Sequence, residues 1–106
     1  MTPEGKVVAL IRARVKEANG EVRKCSWEGV RGAPDLLVLL PGVHAWIEAK
    51  AHNGALRPHQ VREHERLQKA GCKVFVVYGE AQAESLVSHL VALSRSCLLY
   101  TSPSPR

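Results

Sequence analysis

Several features that define other classes of protein are scarce in this sequence. The 106 residues contain no apolar run that approaches the ~20 residues needed to span a bilayer. The first residues, 1–4, lack the basic region and apolar stretch of a secretory signal peptide. The three cysteines, Cys25, Cys72 and Cys97, are widely spaced and form no CxxC pair of the kind found in zinc or redox centres. These absences predict an intracellular, cytoplasmic protein with no membrane partner, in which Cys25 and Cys72 are small core residues.

The composition describes a small, basic, globular chain. A hydrophobic content of 45% is enough for one modest core at this length. The formal net charge is +5, and the pI is about 9.5. A basic balance favours a polyanionic partner such as nucleic acid, although many proteins share it without such a partner.

Two apolar segments in the middle of the chain predict a β-hairpin. Residues 36–40 are continuously apolar and read as a strand covered on both faces. Pro41-Gly42 follows as a turn, and residues 43–50 return as a second strand. Because side chains alternate along a strand, Glu48 and Lys50 project from one face, and antiparallel pairing brings Glu48 back beside Asp35.

The predicted hairpin brings together oxygen ligands of the kind that hard metal ions prefer. The carboxylates of Asp35 and Glu48, with the main-chain carbonyl of Ala49, predict an oxygen-rich site for Mg²⁺ or Mn²⁺. The competing interpretation is that Asp35 ends a strand while Glu48 and Lys50 form an exposed ion pair, which contributes at most ~1 kcal/mol. The nearby glycines 29 and 32 would allow close approach of a backbone or a phosphate, or form a simple flexible loop.

The residues at this hairpin resemble a known family. Pro34-Asp35 followed by Glu48-x-Lys50 is similar to the PD-(D/E)xK nuclease motif. The flanking residues 31–36 and 46–50, with the later Gln60, resemble the VRR-Nuc branch, the virus-type replication and repair nucleases. The resemblance runs from about Pro3 to about Val91.

The resemblance implies a set of site residues and an activity. Asp35, Glu48, Lys50 and Gln60 would be catalytic, with Gln60 beside the lysine, and Glu4, Asp35, Glu48 and Ala49 would hold the metal. For Glu4, stabilisation of the helix start by the macrodipole is the alternative role. The implied activity is Mg²⁺- or Mn²⁺-dependent, structure-specific cleavage of DNA, as in resolution of Holliday junctions by a homodimer. The virus-type branch also implies a viral protein in a bacterial host.

Two other functions stay open on the residues alone. One is a DNA-binding module whose nuclease site is inactive, and the other is a restriction-type or flap endonuclease. The histidines His52, His59 and His64 do not have the spacing of a zinc site, so we expect them to be solvated or to touch phosphate.

Sequence patterns predict the remaining elements. Helices are expected over residues 3–19, 58–70 and 81–93, and further strands over 21–27 and 73–78. Val61, Leu67 and Ala70 are expected to face the core. The predicted fold is α/β, a mixed central sheet flanked by helices in the order αβββαβα, as in a restriction-endonuclease-like core. It forms one domain over residues 1–94. The rest, 95–106, ends in Thr-Ser-Pro-Ser-Pro-Arg and predicts a disordered, non-native tail whose deletion changes neither folding nor activity.

Overall fold

The computed structural model describes residues 1–100, with side chains described through Cys97. The elements follow one another as α1 (Pro3–Glu17), β1 (Glu21–Lys24), β2 (Leu36–Leu40), β3 (Val43–Lys50), α2 (Pro58–Lys69), β4 (Val74–Tyr78) and α3 (Gly79–Tyr100). This order confirms the predicted αβββαβα architecture. No helix within the described residues is long and apolar enough to cross a membrane.

The four strands form one mixed sheet in the order β1-β2-β3-β4. The hairpin pairs antiparallel with Leu36 opposite Ile47 and Leu40 opposite Val43, and β1 adds antiparallel to β2. Strand β4 pairs parallel with β3, with Glu48 opposite Val76. A parallel neighbour requires a crossover connection, and α2 lies in that crossover.

One face of the sheet forms the hydrophobic core. Alternate residues of the hairpin point to this face, where α1 and α3 cover them. The buried cluster comprises Val7, Ile11, Val15, Val22, Leu36, Val38, Leu40, Val43, Ala45, Ile47, Ala49, Val77, Ala83, Val87 and Leu90. The alternation of buried and half-buried residues in β2 shows that its second face is only partly covered, whereas the sequence predicted full cover.

Local chemistry sets both ends of α1. The Thr2 hydroxyl accepts a hydrogen bond from the Gly5 N–H at 3.0 Å, and Pro3 occupies the first turn, as the sequence predicts. The helix ends at Glu17, and Asn19 takes a positive φ of 62° that starts the turn into β1.

Strand β1 ends at Lys24 and is therefore shorter than the strand predicted over residues 21–27. Trp27 lies beyond it, where its Nε1–H donates to the Pro34 carbonyl at 2.7 Å and its ring packs against Trp46 at a centroid distance of 4.8 Å. Trp27 thus stabilises the loop ahead of Asp35 and is not part of a strand.

The predicted inward face of α2 is wrong for Val61 and Ala70, whereas Leu67 is half-buried. Val61 is 39% exposed and Ala70 is exposed, whereas the buried residues of this helix are Glu63 and His64. Glu63 is buried because Arg66 pairs with it at 2.8 Å. Apolar periodicity does not identify the docked face of α2, because polar residues occupy it and His64 lies 3.7 Å from Glu48.

Helix α3 continues past residue 94 to Tyr100, so residues 95–100 are helical where the sequence predicted a disordered tail. Ser94 donates to the Pro41 carbonyl at 2.6 Å, and Cys97 packs against the core cluster. A Cβ atom on Gly42, whose φ is 76°, would lie 2.8 Å from Cβ of Cys97. The last turns of α3 therefore lie directly against the hairpin turn, while residues 101–106 lie outside the described part of the chain.

Candidate active site

Glu48 and Lys50 lie on the sheet face opposite the core, near the end of β3. The Lys50 Nζ is 3.6 Å from Oε2 of Glu48, and their side chains are 17% and 13% exposed. The alternative interpretation, in which Glu48 and Lys50 form an exposed ion pair, is therefore wrong, because both side chains are largely buried. Burying two ionisable groups costs free energy, and groups retained at such a cost are concentrated at functional sites.

Asp35 occupies the position just before β2. The register places Leu36 opposite Ile47, so continuing the ladder by one step brings Asp35 opposite Glu48. The Asp35 carbonyl accepts from the Cys25 N–H at 2.7 Å, which fixes its backbone to the end of β1. Its carboxylate is about half exposed and lies 4.0 Å from the Lys24 ammonium.

The pKa of Glu48 depends on the charges of the other two predicted carboxylates, Asp35 and Glu4. Burial raises the pKa of Glu48, the positive charge of Lys50 opposes the rise, and the negative charges of Asp35 and Glu4 add to it. Glu4, in the first turn of α1, therefore acts on the same site as Asp35. The structure brings all three carboxylates into one electrostatic neighbourhood from three separate elements.

The donor set fits a divalent cation. The carboxylates of Glu4, Asp35 and Glu48 outnumber the two nearby lysines, Lys24 and Lys50, and a dication would offset the repulsion that adds to the effect of burial on the pKa of Glu48. Within the described residues, no three His, Cys, Asp or Glu side chains already stand together as a metal site. A bound ion would therefore have to gather Asp35 and Glu48, with the Ala49 carbonyl beside them.

Gln60 stands in the first turn of α2, where its oxygen has a structural partner. Its Oε1 accepts from the Arg57 N–H at 2.9 Å and so caps the helix. The predicted role of this oxygen, to accept a hydrogen bond from Lys50, therefore competes with helix capping. The side-chain amide nitrogen is the group that Gln60 offers to a substrate or water.

Gly32 joins the loop ahead of Asp35 to the start of α2. Its φ is 86°, and a Cβ atom there would lie 2.8 Å from the His59 carbonyl and 3.0 Å from Cα of Gln60. Only glycine fits this close contact. The predicted close approach at this glycine is thus between two parts of the backbone.

His64 is the site residue that sequence reasoning missed. It is 4% exposed, and its Nε2 is 3.7 Å from Oε1 of Glu48, so the expectation of a solvated or phosphate-touching residue is wrong. Burial lowers the pKa of His64, the main chain of Gly32 opposes this, and Lys50 lowers the pKa further. The available signal was its position one helical turn after Gln60, on the same face of α2.

Comparisons with known proteins agree with this geometry. A solved structure described as "VRR_NUC domain" is 46% identical to this chain, with a TM-score of 0.76, and the match covers 84% of this chain and 98% of that one. A protein of Acyrthosiphon pisum secondary endosymbiont phage 1, described as "Putative nuclease p44", is 39% identical over 66 residues, 61% of this chain and 71% of that protein. No family model matches the chain.

Proposed function

Because the chain belongs to the VRR-Nuc nucleases of the PD-(D/E)xK superfamily, we propose that it is an endonuclease that hydrolyses DNA phosphodiesters with Mg²⁺ or Mn²⁺. The observation that supports this most directly is the convergence of charges on Glu48. Burial raises its pKa, the charges of Asp35 and Glu4 add to the rise, and Lys50 pairs with it from the same sheet face.

In this proposal each residue at the site has a distinct part. Asp35 and Glu48 bind the cation through their side chains, Ala49 binds through its carbonyl, and Glu4 completes the site directly or through water. When bound, the cation polarises the scissile phosphate and lowers the pKa of the attacking water. Lys50 orients that water or neutralises the charge that develops on the phosphorus centre, which is electrostatic stabilisation by a fixed group. Gln60 holds water or phosphate through its amide nitrogen.

Exposed cations on two helices support a DNA substrate. On α1 these are Lys6, Arg12 and Lys16, and on α2 they are Arg57, Arg62 and Lys69. Two further arginines of these helices, Arg14 and Arg66, pair with Glu84 and Glu63. Contacts from such side chains to phosphates supply affinity without reading sequence.

Branched DNA is the substrate class we propose, with cleavage of four-way junctions by a homodimer. A two-fold dimer places two active sites against two strands, which suits paired incisions. Light scattering of the purified protein, with and without junction DNA, measures the assembly. A monomer in both conditions would contradict the dimeric mechanism.

The deciding experiment compares labelled four-way, flap, splayed and linear duplex DNA in Mg²⁺, in Mn²⁺ and in EDTA. Symmetric paired nicks in the four-way junction, abolished by EDTA, are the expected result. Equal cutting of all substrates would refute junction specificity, and cutting in EDTA would refute the metal mechanism. A gel shift that persists in EDTA without nicking after Mn²⁺ addition would identify an inactive DNA-binding module instead.

A further inference from the structure

His64 presents an unusual buried polar group. Neither ring nitrogen has a hydrogen-bond partner within the described residues, although the side chain is almost fully buried. An unsatisfied buried polar atom destabilises the folded state, so such a group in a folded protein requires an explanation. An apolar side chain at this position would avoid that cost.

The Glu48 carboxylate lies between two nitrogens of different kinds. One oxygen faces the Lys50 ammonium at 3.6 Å and the other faces the His64 Nε2 at 3.7 Å. Both distances exceed those of a hydrogen bond. A small rotation of the carboxylate would bring Nε2–H into hydrogen-bonding range of Oε1.

The ring is also connected to the loop that leads to Asp35. The main chain of Gly32 faces the imidazole, and the same glycine packs against the start of α2. His64 therefore stands between the two segments that carry Asp35 and Glu48. Its own helix fixes it there, because the ring lies one turn beyond the contact with Gly32.

We propose that His64 is a positioning residue whose imidazole donates from Nε2 to Oε1 of Glu48 and thereby sets the orientation in which this carboxylate binds the divalent cation. This role rests on the proposed metal-dependent function. The donation satisfies the unpartnered nitrogen, and it holds the oxygen that Lys50 does not contact. A ligand fixed by a neighbouring hydrogen bond binds metal more tightly than a mobile one.

The test measures Mn²⁺ affinity by isothermal titration calorimetry for the full chain and two variants. His64→Phe keeps a buried ring without a donor, and His64→Gln supplies an amide donor. We expect His64→Phe to fold and to lose about 10–100-fold in Mn²⁺ affinity, and His64→Gln to recover most of it. His44→Phe is the matched control, because His44 is an exposed histidine of the same strand as Glu48.

Cleavage kinetics separate positioning from a structural role. A fall in kcat at saturating DNA with an unchanged KM, reversed in part by raising the Mn²⁺ concentration, is the expected result for His64→Phe. Wild-type Mn²⁺ affinity in folded His64→Phe would overturn the role of His64 and leave the nuclease function intact. Absence of Mn²⁺ binding by the wild type would overturn both.

A measurement on the wild type applies even if a variant does not fold. Imidazole ¹H–¹⁵N correlation spectra, assigned with His64→Gln or selective labelling, report which ring nitrogen carries the proton. A proton on Nε2 whose resonance moves when Mg²⁺ is added supports the proposal. A proton on Nδ1 alone, or a resonance unaffected by Mg²⁺ that binds, would overturn it.

Discussion

Ile47 and Glu48 are neighbours in β3, yet the sheet turns them to opposite faces with different chemistry. Ile47 is fully buried among the apolar residues under α1 and α3. Glu48 lies beneath α2 beside a lysine, a histidine and the charges of two further carboxylates. The first face stabilises the fold by removing apolar surface from water. The second retains ionisable groups that burial disfavours, so the two faces should respond to mutation in opposite ways.

The largest effect is expected for Glu48→Gln. Cleavage should fall by about 10³-fold, the upper end of the range for loss of one electrostatic group in an active site. The fold should become more stable at pH 7. The native pKa of Glu48 is raised, so the native state binds this proton more tightly than the unfolded chain, and the free energy of unfolding decreases as pH rises through the native pKa.

Thermal unfolding at several pH values checks this sign. The Tm advantage of Glu48→Gln should be present at pH 7 and should disappear at acidic pH, where Glu48 is protonated in the native state. Mn²⁺ should raise the Tm of the wild type and not that of the variant. A lower Tm for Glu48→Gln at pH 7 would show that the interaction with Lys50 outweighs burial.

Lys50→Ala tests the same face without removing a carboxylate. Cleavage should fall about 10²–10³-fold while DNA binding persists, because the lysine acts on charge that develops during the reaction. Nicking and gel-shift assays on one protein preparation measure the two properties. Lys73→Ala, an exposed lysine ahead of β4, is the matched control. Cutting by Lys50→Ala at the wild-type rate would refute the assignment.

Ile47→Val tests whether a change on the core face of β3 affects stability without affecting cleavage. Removing one buried methyl group should reduce the free energy of unfolding by about 0.5–1.5 kcal/mol. Cleavage at a temperature where the variant remains folded should match the wild type. Denaturant unfolding and nicking measure these quantities, and a loss of nicking in the folded variant would show that the two faces are coupled.

The smallest effect is expected for removal of residues 101–106, which should change the free energy of unfolding by no more than about 0.5 kcal/mol. Removal of residues 95–106 also deletes Cys97 from its contact with the hairpin turn, so its Tm should be lower. This corrects the expectation that the longer deletion is neutral. Equal Tm values for the two truncations would restore that expectation. Both truncated proteins should keep wild-type cleavage when folded.

Local sequence chemistry was enough to predict much of the fold. Thr2-Pro3 start a helix and Pro41-Gly42 turn a hairpin, because each depends only on neighbouring residues. Alternation along the second strand then placed Glu48 and Lys50 on one surface. These signals need no knowledge of distant contacts.

The misses have a common physical origin in long-range packing. His64 lies in a helix rich in charged residues, and its burial arises only when α2 docks against the sheet and the Gly32 loop. Val61 is exposed for the same reason. Trp27 lies outside its predicted strand, where its ring packs against Trp46 of β3. Contacts between distant segments decided all three positions.

The two ends of β3 lie near different parts of the molecule, which decides where a label or tag can be attached. Its first residues lie by the Gly42 turn and the late part of α3, whereas its last residues lie toward Glu4 at the start of α1. A fluorophore or surface tether attached at the Gly42 end would sit a strand length away from the carboxylates. A bulky affinity tag ahead of Thr2 would crowd Glu4. Assays with immobilised protein should therefore attach it near the Gly42 end of β3.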